Sequence, residues 1–208
     1  MNVAAGGELW RATAKLRARH LFLTIVLFAA GLSSASAADD AGEWIAFACG
    51  GCHGHTGVSA ADSMPSIAGF DRRYLARVLR EFKSGVRHST IMGRLMAGYS
   101  LQDIGLLASY YAEQSWEGSG IRADAATIAR GQELHEARCE QCHEDGGRVQ
   151  DRDMPRLAGQ QPEYLRFQML LRRAGTEGMQ QPNRMREALL ALSDEDIFVL
   201  SRFLASQD

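Results

Sequence analysis

The chain is short of almost everything that marks an extreme class of protein. Its 23 Lys and Arg are outnumbered by 25 Asp and Glu. That leaves no surplus positive field to collect phosphates, so no nucleic-acid partner is expected. Four Pro and 21 Gly in 208 residues exclude a collagen-like or Pro-rich rod. A hydrophobic share of 46% against 23% charged excludes a disordered acidic tail. No segment alternates apolar and polar residues long enough to build a sheet, which points to an all-α fold. Cysteine is scarce too, four residues in all, yet all four fall in two identical frames.

The first residues have the pattern of a leader rather than of a folded element. Arg11, Lys15, Arg17 and Arg19 precede the apolar run Leu21–Leu32, and the small residues Ser33–Ala37 follow it. Basic, then apolar, then A-x-A is a secretory signal, with cleavage expected after Ala37. The run has 12 residues where a spanning helix needs about 20, so membrane association is expected only if the leader stays uncleaved. Losing residues 1–37 removes four cations and one acid and leaves a net charge of −5 over 171 residues. Export places the chain in the periplasm, where the cysteines need an explanation suited to an oxidising compartment.

The remainder repeats itself. Cys49-Gly-Gly-Cys52-His53 recurs 90 residues later as Cys139-Glu-Gln-Cys142-His143. At the same offset Met64-Pro-Ser-Ile-Ala-Gly69 matches Met154-Pro-Arg-Leu-Ala-Gly159, and Tyr74-Leu75 matches Tyr164-Leu165. Three inserted residues then raise the offset to 93, so that Ser100, Asp103, Ile104 and Leu107 match Ser193, Asp196, Ile197 and Leu200. Ordered self-similarity of this kind means a duplicated unit. The organisation expected is a leader over 1–37, a first domain over 38–116, a flexible Gly/Ser connector over 117–122 and a second domain over 123–208. Helices are expected ahead of each cysteine frame, over the Tyr74–Phe82 stretch after an Asp71 cap, and after the capping-box starts at Ser100 and Ser193.

Domains of about 80 residues are marginally stable on a hydrophobic core alone and generally carry a staple. C-x-x-C-H is the attachment pattern of c-type haem. Two thiols three positions apart on one tight turn reach the two vinyl groups of a porphyrin, and the next residue sets an imidazole beneath the iron. The rivals are weaker. A thioredoxin-like thiol pair needs a βαβ context, a single structural zinc site would draw all four cysteines together, and short disulfide loops would leave both histidines without a role. Two covalently bound haems c are therefore expected, held by Cys49, Cys52, Cys139 and Cys142, with His53 and His143 as axial ligands.

A His-bound iron that only moves electrons commonly takes methionine as its second ligand. Met92 and Met185 stand eight residues before Ser100 and Ser193, and this matched placement selects them. Met64 and Met154 are also paired but sit only 11 residues after the histidines, where a packing role is expected. Met96 aligns with Leu189 and is not a shared ligand. The carbonyls of the two Met-Pro turns are candidates to hold the ligating imidazoles. His55, His88 and His135 are expected at the surface.

With these elements in place the chain resembles the diheme class I cytochromes c of the c4 type. Within that group the first domain is most similar to the cytochrome subunit of flavocytochrome c sulfide dehydrogenase. The residues that carry this resemblance are Cys49–Gly54 with Thr56–Ser59, Phe82–Gly85, Ser89-Thr-Ile-Met-Gly-Arg94 and Gly98-Tyr-Ser100. The second domain is less specific, with Leu157–Gln160 and Leu192–Asp196 shared more widely. The resemblance implies two tandem class I domains and a subunit that does no substrate chemistry of its own. An FAD-containing sulfide dehydrogenase subunit, bound as a heterodimer, would pass it electrons for relay to a downstream cytochrome or oxidase. The first rival is a free c4-type carrier that donates to a terminal oxidase. The second is a diheme peroxidase or thiosulfate-oxidising enzyme, which would need an open or unusual sixth iron position.

Overall fold

The computed structural model describes residues 41–176, 178 and 181–207. Two compact units divide between Ala41 and Gly42. The expected leader over 1–37 lies outside the described residues, and the helices that follow all belong to the second unit.

Among the described residues every regular element is helical. Residues 42–46 are helical and lead through a 3₁₀ turn at Phe47–Cys49 into α1 (Gly50–His53). The first half then contains α2 (Arg72–Ser84), α3 (Met92–Ala97) and α4 (Leu101–Glu113). The second half contains α5 (Ala125–Arg138), α6 (Pro162–Arg173), α7 (Asn183–Leu190) and α8 (Asp194–Ala205).

Local chemistry sets the helix starts. The Asp71 carboxylate accepts from the N–H groups of Arg73 and Tyr74, and Asp124 does the same for Ala126 and Thr127. Reciprocal capping boxes open α4 at Ser100/Asp103 and α8 at Ser193/Asp196. Each box satisfies two donors that the first turn would otherwise leave orphaned. Pro162 opens α6, where its missing N–H costs nothing.

Each half builds its own core. In the first, Leu107, Ala108 and Tyr111 of α4 pack on Leu75 and Ala76 of α2 together with Ala46 and Phe70. In the second, Ile197, Leu200, Phe203 and Leu204 of α8 pack on Leu134 of α5, Leu165 and Met169 of α6 and Leu189 of α7. Burying each Leu or Ile is worth about 1.5–3 kcal/mol. The last helix of each half crosses the helix before its cysteine frame at a glycine. A Cβ on Gly131 would lie 2.2 Å from Phe203 Cβ, whereas one on Gly42 would meet Leu106 O at 3.4 Å and Tyr110 Cβ at 3.5 Å.

Buried amides join the halves. Gln160, 2% exposed, accepts from Ser66 N at 2.8 Å and donates to Ser66 O at 2.9 Å. Gln150 accepts from Asp71 N and donates to Gly69 O at 2.8 Å, and Tyr164 N donates to Asp62 O at 3.0 Å. The 117–122 connector was expected to be flexible. Within it Ser119 bonds to the second half, its N–H to Gly159 O and its hydroxyl to Ala205 O, both at 2.7 Å.

Candidate functional site

The first cysteine frame is wound on the 3₁₀ turn and α1. Gly54 N–H closes it onto Gly50 O at 3.0 Å, and the chain leaves at φ 81°. A Cβ on Gly54 would lie 2.0 Å from Val58 O, so only glycine fits there. His53 is buried, and its Nδ1 donates to Pro65 O at 2.8 Å. This is the Met-Pro turn carbonyl expected from the sequence. Burial lowers the His53 pKa and the Pro65 carbonyl opposes the shift, so the imidazole stays neutral near pH 7.

The Met-Pro turns are pinned alike in both halves. Ile67 and Ala68 N–H donate to Gly57 O, as Leu157 and Ala158 N–H donate to Gly147 O. Gly69 N–H reaches Tyr111 O at 2.8 Å, and Gly159 N–H reaches Leu204 O at the same distance.

The second frame differs from expectation. It follows α5 as a turn rather than a helix, with Cys142 and His143 N–H both donating to Cys139 O, at 3.1 and 2.9 Å. Asp145, Gly146 and Gly147 then adopt positive φ. His143 Nδ1 is buried and has no hydrogen-bond partner, so the Pro155 carbonyl does not repeat the part played by Pro65. Burial, then His135, then Arg172 push the His143 pKa down to about 4.

His135 corrects a further expectation. It is 1% exposed rather than at the surface, and its Nδ1 contacts Glu140 Oε2 at 2.9 Å with its ring 5.8 Å from Phe203. It occupies the place that Ala46 holds in the first half. There the Tyr111 hydroxyl fills the volume and donates to Ala46 O at 3.1 Å. Leu204 stands where the first half has Tyr111, and the His135 ring lies against Phe203. His55 and His88 are exposed, as expected.

All four cysteines are free thiols, with Cys52 and Cys142 exposed and Cys49 and Cys139 half-buried. Burial pushes the Cys49 thiol up and the Cys139 thiol up to about 11, the opposite of a reactive redox thiolate. Among the described residues no three His, Cys, Asp or Glu converge as a metal site would require. Met92 opens α3 half-buried. Met185 on α7 packs against the second core, as Cys139 also does. Met64 and Met154 are half-buried in their turns. Met96 and its counterpart Leu189 are both in the core, at 1% and 4% exposure.

The donor set fits two c-type haems. Each half offers two unpaired thiols on one turn, followed at once by an imidazole, buried in the first half and half-buried in the second, that is neutral near pH 7, the form that binds iron. With the duplicated all-α fold, these features define a diheme cytochrome c built from two class I domains.

No family profile matches the chain. Cytochrome c4 of Pseudomonas aeruginosa is 31% identical over 192 residues, covering 88% of this chain and 94% of that protein. The chain belongs to the cytochrome c4 family and binds two haems c covalently. The crystal structure of reduced cytochrome c4 from Pseudomonas stutzeri superposes with a TM-score of 0.74 at 28% identity, over 81% of this chain and 98% of that one. The cytochrome subunit of sulfide dehydrogenase from Chlorobaculum tepidum is 42% identical over 74 residues, 36% of this chain and 66% of that subunit. A thiosulfate dehydrogenase electron acceptor of Stutzerimonas stutzeri is 28% identical over 174 residues, covering 77% of this chain and 79% of that protein.

Proposed function

We propose that the chain works in the periplasm as the electron-accepting partner of a dehydrogenase of reduced sulfur compounds, in the first place a flavin-containing sulfide dehydrogenase subunit. It then passes electrons to another carrier. In this reading residues 1–37 are removed, and domains 38–116 and 123–208 each hold one haem. Cys49 and Cys52 bind the first haem and Cys139 and Cys142 the second. Bound there, each haem supplies a reversible one-electron iron couple.

The chain's own residues do the rest. His53 and His143 would hold the two irons through imidazoles that burial keeps neutral. Met92 and Met185 would supply the thioether ligands, a choice that raises the potential. The Pro65 carbonyl fixes the plane of His53. Exposed Cys52 and Cys142 bring one edge of each site to the surface, where a partner can approach.

The observation that carries the sulfur-linked reading is the 42% local identity to a sulfide dehydrogenase cytochrome subunit, higher than the 31% to the full-length cytochrome c4. A second reading, a free c4-type carrier delivering to a terminal oxidase, is favoured by the 94% of the Pseudomonas aeruginosa protein that the chain spans. Purification from the native periplasm at low salt, with flavin and haem quantified in the product, separates them. Copurifying flavin in fixed ratio to haem supports the first reading, and a flavin-free diheme protein supports the second.

A further inference from the structure

The segment that carries each candidate methionine is short, and a cation closes its far end in both halves. α3 has six residues and α7 eight. Isolated helices shorter than about 12 residues are marginal in water, so the place of Met92 or Met185 depends on what grips the segment. At the far end of α3 the Lys83 ammonium, on α2, donates to Ala97 O at 3.1 Å and to Met96 O at 3.5 Å. Just beyond α7 the Arg173 guanidinium, on α6, donates to Leu192 O at 2.9 Å and pairs with Asp194. These carbonyls lie in the last helical turn or directly after it, where intrahelical donors run out and a cation suits the helix dipole.

The two cations occupy one position of the repeat. Lys83 and Arg173 are 90 residues apart, and each stands two residues before a left-handed glycine, Gly85 at φ 75° and Gly175 at φ 66°. The three inserted residues fall after these glycines: Met92 follows Gly85 by seven residues, and Met185 follows Gly175 by ten. The closure therefore survives a change in the length of the loop it spans. The segments it closes share a second feature. Met96 and Leu189, four residues after the methionines and so on the same helix face, are buried at 1% and 4% exposure. The core residue sets the depth of the helix, and the cation keeps its far end from lifting.

Resting on the reading of Met92 and Met185 as thioether ligands, we propose that Lys83 and Arg173 are positioning residues that clamp the methionine-bearing segments, so that each thioether stays on its iron. Neither cation touches iron or substrate. Each acts through the carbonyls it holds, and each serves one haem alone. A held thioether leaves no open iron position for an outside ligand, which keeps each half to moving electrons.

The test is a carbon monoxide titration of the reduced holoprotein, with the methionine–iron signal of each haem followed by NMR and visible absorbance. Lys83→Gln is expected to raise the carbon monoxide affinity of the first haem about tenfold and weaken its methionine signal, leaving the second haem at the parent value. Arg173→Gln should do the same to the second haem and spare the first. The conservative exchanges Lys83→Arg and Arg173→Lys should bring both readouts back near the parent. The unfolding midpoint, measured beside them, is all that a merely structural bond would move. A lowered midpoint with both haems at parental affinity, or a change spread equally over both haems, overturns the proposal. Met92→Ala and Met185→Ala separate its failure from that of the ligand reading. If they leave the methionine signals intact, the ligand reading falls and the clamp with it. If they abolish those signals while Lys83→Gln and Arg173→Gln change nothing, the clamp alone falls.

Discussion

Gln160→Leu should separate the two halves of the molecule. The side chain is 2% exposed and makes three bonds across or beside the seam: Oε1 accepts from Ser66 N at 2.8 Å and Gln161 N at 2.9 Å, and Nε2 donates to Ser66 O at 2.9 Å. Leucine of similar volume strands two N–H groups and one carbonyl in a buried place. A buried polar group left unsatisfied costs about 1–3 kcal/mol, so three of them, partly relieved by entering water, should cost about 3–5 kcal/mol. That is a large fraction of the 5–15 kcal/mol expected of a whole domain. In guanidinium chloride, with a slope of about 4 kcal/mol/M for a chain of this size, the unfolding midpoint should fall by about 1 M. The single transition should also broaden or split as the halves uncouple. Gln132→Leu, at an exposed position on α5, serves as the control and should move the midpoint little. A Gln160→Leu midpoint within about 0.2 M of the parent would refute the reasoning, because it would mean these bonds contribute no net free energy.

Other outcomes follow from the same geometry. Gly131→Ala drives a Cβ to 2.2 Å from Phe203 Cβ and should cost about 2–3 kcal/mol by thermal or chemical unfolding, while Gly42→Ala, with contacts at 3.4 and 3.5 Å, should cost less than about 1 kcal/mol. Met92→Ala and Met185→Ala should each abolish the methionine–iron absorption of one haem, lower that haem's potential and open it to carbon monoxide, leaving the other haem intact. Loss of both signals from one substitution would contradict the assignment. Arg94 is exposed on α3 within the stretch that most resembles a sulfide dehydrogenase subunit. Arg94→Glu should weaken the complex with a flavin-containing partner, measured by titration calorimetry, without changing either haem spectrum. The box carboxylates Asp103 and Asp196 are held below the ordinary aspartate range by Ser100 and Ser193. Depressed carboxylates stabilise the fold above their unfolded pKa and lose that contribution as pH falls through the folded value. Acid unfolding of the Asp103→Ala, Asp196→Ala double variant should therefore depend less on pH below about 4.

Features written in short-range pattern were legible in the sequence. The capping boxes at Ser100 and Ser193, the Asp71 cap and the paired cysteine frames depend on residues a few positions apart, and the Pro65 carbonyl on His53 comes from a repeated turn only 12 residues on. What escaped depends on how the halves diverged. One residue fewer separates Gly42 from Cys49 than Gly131 from Cys139, so a fixed offset aligns His135 with Ile45 and hides its true counterpart, Ala46. Its burial comes with packing against Phe203, a long-range contact that spacing does not reveal. The seam residues Gln150, Gln160 and Gln161 have no amide counterparts in the first half. That asymmetry was visible, but only the docked halves give it meaning, since the groups it satisfies lie 79 to 102 residues away. The non-helical second frame has a similar origin. Glu140 replaces the frame's first glycine, and its carboxylate turns to His135 Nδ1 and the N–H groups of Asp145 and Gly146.

The measurement that bears most directly on the whole account is intact-mass analysis of the protein matured in a host competent for haem attachment, read beside a haemochrome assay. The account requires the mass of a chain carrying two porphyrins that survive denaturation, with peptide mapping placing one on Cys49/Cys52 and the other on Cys139/Cys142. A mature chain at the mass of bare polypeptide, or with a single porphyrin, would contradict it.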